Sequence, residues 1–150
     1  MLNVTLICTG QLRESYFKEA AAEYEKRLGA FCRFRCTELT PTANTTDDAM
    51  AQRILQALPE RAYKIALCVE GKELSSPELS ELIEELPNRG YSEVVFLIGG
   101  SDGLPTSVKE KCALRLSFSR MTFTHQLMRV FLTEQIYRAF TIAHNGKYHK

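Results

Sequence analysis

The sequence lacks the long apolar segments that membrane and exported proteins carry. No apolar run reaches the roughly 20 residues that a membrane-spanning helix needs. The chain also does not open with the basic segment and apolar stretch of a secretion signal. We therefore expect a cytoplasmic protein with no membrane partner.

Cysteine and histidine are too sparse for a metal centre or a disulfide framework. The five cysteines are odd in number and include no Cys-x-x-Cys pair, and the three histidines stand at positions 125, 144 and 149. A structural zinc site needs four converging ligands. We predict no metal site and expect the cysteines to be reduced core residues.

Two common glycine signatures of nucleotide binding are also missing. A Rossmann domain carries GxGxxG after its first strand, whereas the first apolar segment here runs into Thr9-Gly10-Gln11 with a single glycine. No Gly-Lys-Ser or Gly-Lys-Thr is present to form a phosphate loop. These absences exclude the common dinucleotide-binding fold and the P-loop NTPases.

The net charge is only +1, but the charges are unevenly distributed. Residues 109–150 carry eight Lys or Arg against two Glu, and residues 1–108 carry eleven Lys or Arg against sixteen acidic residues. The basic third, with a net charge of +6, is the part that would meet a polyanion such as RNA. A solvated helix face is the commoner origin of an excess this small.

The most informative segment present is VVFLIGGSDGL, residues 94–104. Its continuous apolar run is typical of a buried parallel strand. Gly99, Gly100 and Gly103 have no Cβ atoms, so the backbone amides after this strand can approach a ligand closely. The segment predicts a loop that binds a nucleotide-like cofactor, and a tight turn without a ligand is the alternative.

Strand-like and helix-like segments alternate along the whole chain. We predict strands at residues 3–8, 31–39, 63–69, from 94, and at 115–119, and helices at residues 14–28, 47–58, 75–86, 105–112 and 125–143. This alternation is typical of an α/β domain whose largely parallel sheet binds ligands at the carboxyl ends of its strands. The length fits one domain, residues 1–150.

The last predicted helix is apolar around most of its circumference, with a narrow polar stripe. A helix of this kind must be covered on more than one face. In a domain of this size a homodimer contact is the natural second cover. A helix that crosses the middle of its own domain is the alternative.

Candidate reactive residues lie on that stripe and at the end of the chain. Glu134 and Arg138 stand four positions apart, which is the spacing of a simple helix ion pair as well as of a paired functional site. Tyr148, His149 and Lys150 supply an aromatic ring, an imidazole and a cation that could order over a nucleotide, although a frayed terminus is the alternative.

Three segments together resemble one known family. LIGGSDGL, LSFSRMTFTHQLMRVFLTEQIYRAF and the ending YHK are similar to the bacterial RlmH family. Its members are SPOUT-class methyltransferases that methylate N3 of a pseudouridine in an intersubunit stem-loop of 23S rRNA. The resemblance spans nearly the whole chain and is least distinctive over residues 32–58. It implies a SPOUT-type α/β knot with a C-terminal trefoil knot, S-adenosyl-L-methionine as methyl donor and an obligate homodimer acting on 23S rRNA within the ribosome.

The resemblance also implies which residues form the site. Those that would contact the methyl donor are Leu67, Gly99, Phe118, Ser119, Arg120, Met121, Thr122 and Phe123. Those on the RNA side are Glu134, Arg138, Tyr148, His149 and Lys150, to which we add Arg129 from the polar stripe. Some members have Arg where this chain has Lys150, so a bidentate phosphate contact is reduced there to a point charge.

The implied reaction assigns roles to three of these residues as hypotheses. His149 or Glu134 would help to remove the N3 proton, and the sequence leaves open which of them does so. Arg138 would stabilise the charge that develops on the uracil oxygens. Two other functions remain as alternatives: a knotted methyltransferase acting on tRNA, weakened because no separate RNA-binding domain is apparent, and a non-catalytic RNA- or ribosome-binding α/β protein.

Overall fold

Strands and helices alternate throughout the computed structural model, which describes residues 1–150. The strands are β1 (Asn3–Thr9), β2 (Arg33–Leu39), β3 (Tyr63–Glu73), β4 (Glu93–Ile98) and β5 (Leu114–Ser117). The helices are α1 (Ser15–Leu28), α2 (Asp47–Ala57), α3 (Ser76–Glu85), α4 (Thr106–Lys109) and α5 (His125–Ala143), with a short 3₁₀ turn at Pro87–Arg89. None of the five α-helices combines the length and the apolar character that a membrane span requires.

All neighbouring strands of the single sheet run parallel, in the order β2-β1-β4-β3-β5. The predicted α/β architecture with a parallel sheet is therefore confirmed. Helices α1, α3 and α5 cover one face of the sheet, and α2 and α4 cover the other. The trefoil knot implied by the family resemblance stays a prediction.

Strand β4 lies at the centre of the sheet and explains the continuous apolar run in its sequence. Val94 and Phe96 point to the face covered by α1, α3 and α5, and Val95 and Leu97 point to the face covered by α2 and α4. All four side chains are fully buried because both faces of the strand are covered. This packing fixes the strand that delivers the glycine loop.

The predicted bounds of β3 and α4 are wrong. Strand β3 continues to Glu73, and its pairing with β5 breaks between Leu67 and Lys72. At this break the backbone of Gly71 lies so close to Arg115 that a Cβ atom would be 2.7 Å from its carbonyl group. Helix α4 ends at Lys109 rather than near residue 112, because the chain must turn there to enter β5.

Helix α5 crosses its own domain and is covered mainly from within the chain. It packs against α1 and α3 and buries Leu132, Ile136 and Ala139. Helices α1 and α3 therefore cover much of the apolar surface that we expected a second subunit to cover. Phe131 remains exposed on α5, and the homodimer stays a prediction.

Side-chain caps begin three of the helices. Thr46 accepts a hydrogen bond from the Ala49 amide, and Thr124 accepts one from the Leu127 amide. Ser75 and Glu78 form a complete capping box at the start of α3.

Replacing Ser75 with alanine tests the contribution of this capping box. The change leaves the Glu78 amide without its partner, and we expect the free energy of unfolding to fall by about 1 kcal/mol. Urea denaturation followed by circular dichroism measures the difference. The exposed Ser107, changed to alanine in the same way, serves as control. Equal stability of both variants would show that the box contributes nothing.

Candidate active site

A cavity of about 330 Å³ lies at the carboxyl ends of β3, β4 and β5. We call it the glycine cavity, because the loop Gly99–Leu104 forms one of its walls. Of the residues predicted to contact a methyl donor, those that line it are Leu67, Gly99, Phe118, Ser119, Met121, Thr122 and Phe123. Arg120 is exposed and does not line it. The glycine loop and the segment that enters α5 therefore face the same space.

The glycine loop is folded tightly on itself. The Gly103 amide donates to the Gly100 carbonyl oxygen at 3.0 Å, and Gly103 has a φ of +78°, which favours glycine. A Cβ atom at Gly99 would lie 2.4 Å from the Gly103 carbonyl carbon. No other residue type fits at position 99 without moving the loop.

The opposite wall is the segment between β5 and α5. The Ser117 hydroxyl donates to the Ser119 carbonyl oxygen at 2.9 Å, and the Met121 amide donates to the Ser119 hydroxyl at 3.0 Å. These bonds hold a turn beside the cavity. Phe123 packs edge-to-face on Phe131 of α5, while Met121 is 75% exposed. The wall thus ends in an apolar surface open to solvent.

The residues predicted on the RNA side form a second group, at the other end of α5. The Arg138 guanidinium donates from Nε to Glu134 at 3.0 Å and contacts His149 Nδ1 at 2.9 Å. The Tyr148 hydroxyl donates to the same Glu134 oxygen at 2.9 Å, and its ring lies under the Arg138 guanidinium. We call Glu134, Arg138, Tyr148 and His149 the tail cluster.

The contacts of the tail cluster show that the end of the chain is docked on α5 and not frayed. Burial and hydrogen bonds with Tyr24 and Glu134 raise the pKa of Tyr148, so its hydroxyl remains a donor at neutral pH. Because an arginine can only donate, Nδ1 of His149 is the acceptor in its contact with Arg138. Lys150 is exposed at the end of this segment.

Within one chain the tail cluster does not border the glycine cavity. Met128 lines the cavity, and Glu134 and Arg138 follow it by about 9 and 15 Å along the helix axis. A groove of about 580 Å³ lies between them, lined by Phe131 and Glu134 and sharing Leu116 and Phe118 with the cavity. The two sets of predicted functional residues are therefore connected by an apolar surface.

Arg129 lies in a network of ion pairs with two carboxylates, and its RNA contact stays a prediction. Its guanidinium donates to Glu38 at 2.5 Å and lies 3.9 Å from Glu25, and its side chain is only 12% exposed. Burial raises the pKa of Glu25, while the charge of Arg129 opposes that shift. The geometry gives Arg129 the role of joining α1 and β2 to α5.

Replacing Arg129 with methionine separates these two roles. We expect the free energy of unfolding to fall by about 1 to 3 kcal/mol, because Glu25 and Glu38 lose their partner, and we expect RNA affinity to stay within about twofold. Urea denaturation and filter binding measure the two quantities. Adding Glu38→Gln should recover part of the stability. A variant with normal stability and weakened RNA binding would restore the predicted RNA contact.

Several lining residues were not predicted from the sequence. Glu70 and Lys109 lie on the cavity wall, where Lys109 donates to Glu70. Their contact depends on the extension of β3 beyond residue 69, which no alternation of apolar residues indicated. His125 also lines the cavity and packs on Gly10, whose added Cβ would lie 3.2 Å from its ring.

Comparison with known proteins gives one family over the full chain. The family model described as "Predicted SPOUT methyltransferase" matches residues 2–149. Two relatives from Streptococcus pyogenes, serotype M18 (strain MGAS8232) and serotype M12 (strain MGAS2096), are each named "Ribosomal RNA large subunit methyltransferase H". Each is 45% identical over 159 residues, covering 99% of this chain and 100% of the relative.

A solved protein of the TrmH family from Porphyromonas gingivalis matches more weakly, with a TM-score of 0.43 at 15% identity over 88% of this chain and 58% of that chain. With its glycine cavity at the carboxyl ends of a parallel sheet and a match over nearly every residue, the chain belongs to the SPOUT methyltransferase family.

Proposed function

We propose that this chain is an S-adenosyl-L-methionine-dependent methyltransferase that methylates N3 of a pseudouridine in 23S rRNA of the large ribosomal subunit. The observation that carries the proposal is the convergence of the glycine loop and the segment Phe118–Phe123 on one cavity, in a chain whose full-length relatives are named large-subunit rRNA methyltransferases. The reaction would take place in the cytoplasm.

The glycine cavity fits the adenosine part of such a donor. Its apolar wall includes Leu67, Ile98 and Phe118, which suit a neutral adenine ring, and the glycine loop brings backbone amides to the edge of the space. The closeness of Gly99 to Gly103 keeps this edge free of side-chain bulk. When bound, the donor supplies a methyl group on a positively charged sulfur. The cavity walls would position that group for transfer.

The tail cluster supplies the groups that the acceptor nucleotide needs. Arg138 is placed to stabilise negative charge on the uracil oxygens, and Tyr148 offers a ring for stacking. In the free chain the Arg138 guanidinium donates hydrogen bonds to both His149 Nδ1 and the Glu134 carboxylate. If Arg138 turns to the uracil, it releases both acceptors, and either can then accept the N3 proton. Lys150 provides a point charge for a phosphate.

A homodimer would bring these groups to the cavity. The tail cluster lies about 9 to 15 Å along α5 from the cavity of its own chain. The exposed Phe131 lines the groove between them, and the exposed side chains of Met121 and Phe123 line the cavity itself. A second copy that covers this apolar surface can place its own tail cluster beside the cavity. The pairing would also join two basic segments, which strengthens binding to RNA.

The proposal is tested by donor binding and methyl transfer measured separately. We expect S-adenosylhomocysteine to bind in calorimetry, and we expect labelled methyl groups to enter large-subunit rRNA and not tRNA. Transfer to tRNA would identify the alternative knotted enzyme. A folded protein that binds no S-adenosylhomocysteine would instead favour a non-catalytic RNA-binding function. Sedimentation of the same sample reports whether the chain is a dimer.

A further inference from the structure

One ion pair in the glycine cavity has no part in the function proposed above. The Lys109 ammonium donates to the Glu70 carboxylate at 2.6 Å, and both side chains line the cavity. The pair joins the extension of β3 to the end of α4. No other Lys or Arg lines the cavity, and Asp102, in the exposed turn of the glycine loop, is the only other carboxylate. The wall therefore offers opposite charges side by side.

This pair is available for exchange with a ligand. The Glu70 side chain is 54% exposed and that of Lys109 is 17% exposed. The hydrogen bond from Lys109 holds the pKa of Glu70 below its usual range, so the carboxylate is ionised at neutral pH. Because the Glu70 carboxylate is more than half exposed, solvent screens this ion pair and reduces its contribution to stability. Opening the pair for a ligand therefore costs the fold little.

We propose that Glu70 and Lys109 bind the amino-acid end of the methyl donor, with Glu70 accepting from its ammonium group and Lys109 donating to its carboxylate. This inference rests on the proposed function. The adenosine end of the donor is uncharged and suits the apolar wall, whereas the amino-acid end carries one charge of each sign. Exchange of the internal pair for two contacts with the ligand leaves no charge unpaired.

Two ligands of different length test this assignment without measuring catalysis. S-adenosylhomocysteine has the amino-acid end, and 5′-methylthioadenosine has the same adenosine and thioether without it. We expect Glu70→Gln and Lys109→Gln each to lower the affinity for S-adenosylhomocysteine by about tenfold, as measured by calorimetry. Binding of 5′-methylthioadenosine should change by less than about twofold. The exposed Lys111, changed to Gln, is the matched control on the same segment.

The outcomes separate the inference from the function on which it rests. An equal loss of affinity for both ligands would show that the ion pair only shapes the cavity. Unchanged affinity for both ligands would show that the ion pair does not contact the donor. Both results overturn the inference and leave the methyltransferase proposal intact. If the unaltered protein binds neither ligand, the proposed donor site itself is wrong, and the inference fails with it.

Exchanging the two charges gives a second test that preserves the fold. The double variant Glu70→Lys with Lys109→Glu keeps an ion pair across the cavity wall but reverses its direction. We expect the double variant to bind S-adenosylhomocysteine at least about tenfold more weakly than the unaltered protein does, and to bind 5′-methylthioadenosine with unchanged affinity. Normal binding of both ligands would mean that the pair acts only as a structural link, which would overturn the inference.

Discussion

Alanine at position 99 is expected to remove donor binding almost completely. The new Cβ atom would lie 2.4 Å from the Gly103 carbonyl carbon and 2.6 Å from the Leu104 amide nitrogen, both of which belong to rigid backbone. The glycine loop must therefore open, and its amides move away from the cavity. We expect the affinity for S-adenosylhomocysteine to fall by more than about a hundredfold, with a loss of about 1 to 3 kcal/mol in the free energy of unfolding. Calorimetry and urea denaturation measure the two effects.

Gly90 provides the control for this substitution. It has a φ of +87° and no atom within 4 Å of an added Cβ, and it follows the 3₁₀ turn Pro87–Arg89, away from the cavity. Alanine at position 90 should cost stability through backbone strain but leave donor binding unchanged. Comparable affinity of the Gly99→Ala protein and the unaltered protein would show that the glycine loop does not form the donor site.

Replacing Arg138 with glutamine is expected to have the largest effect on catalysis. The guanidinium is the one group of the tail cluster that can donate two hydrogen bonds to uracil oxygens while carrying a positive charge. Its loss should lower the turnover number by about 10²- to 10³-fold. Binding of S-adenosylhomocysteine should change by less than about twofold, because Arg138 does not line the glycine cavity and is proposed to contact the acceptor nucleotide rather than the donor. Methyl transfer to large-subunit RNA under single-turnover conditions gives the rate.

Two further variants make this result specific. Arg53 is exposed on α2, on the opposite face of the sheet, and Arg53→Gln should leave the rate within about twofold, because an exposed residue away from the site has little effect. Arg138→Lys keeps the charge but not the planar donor pair, so we expect an intermediate rate. Full activity of Arg138→Gln would remove Arg138 from the mechanism.

The sequence predicted those features that depend on local chemistry. Apart from the bounds of β3 and α4, the strands and helices lie close to their predicted positions, because the pattern of apolar residues depends only on near neighbours. The continuous apolar run predicted that β4 is buried, and the glycines after it predicted a loop that faces a ligand cavity. These signals lie within a few neighbouring residues.

Features that depend on contacts between distant segments were not predicted from the sequence. Glu70 meets Lys109 only because β3 continues past a break in its pairing with β5. Arg129, which we predicted on the RNA side, pairs with Glu25 of α1 and Glu38 of β2, and no spacing in the sequence indicated these partners; its RNA contact stays a prediction. The cover of α5 by α1 and α3 is equally a property of the folded chain. Helical spacing indicates which residues share a face, but it does not indicate what covers that face.

The tail cluster combines both kinds of information. The spacing of Glu134 and Arg138 predicts their ion pair. The docking of Tyr148 and His149 on that pair joins residues 10 to 14 positions apart, and the family resemblance placed these residues on the RNA side without predicting their contacts. The roles of these residues in proton transfer remain proposals.

Mass mapping of 23S rRNA from cells that lack this chain tests the central claim most directly. The account predicts that a pseudouridine in the large-subunit RNA loses its methyl group, that the gene for the unaltered chain restores it, and that the gene for Arg138→Gln does not. A methyl group that persists at every modified pseudouridine in the deleted strain would contradict the account.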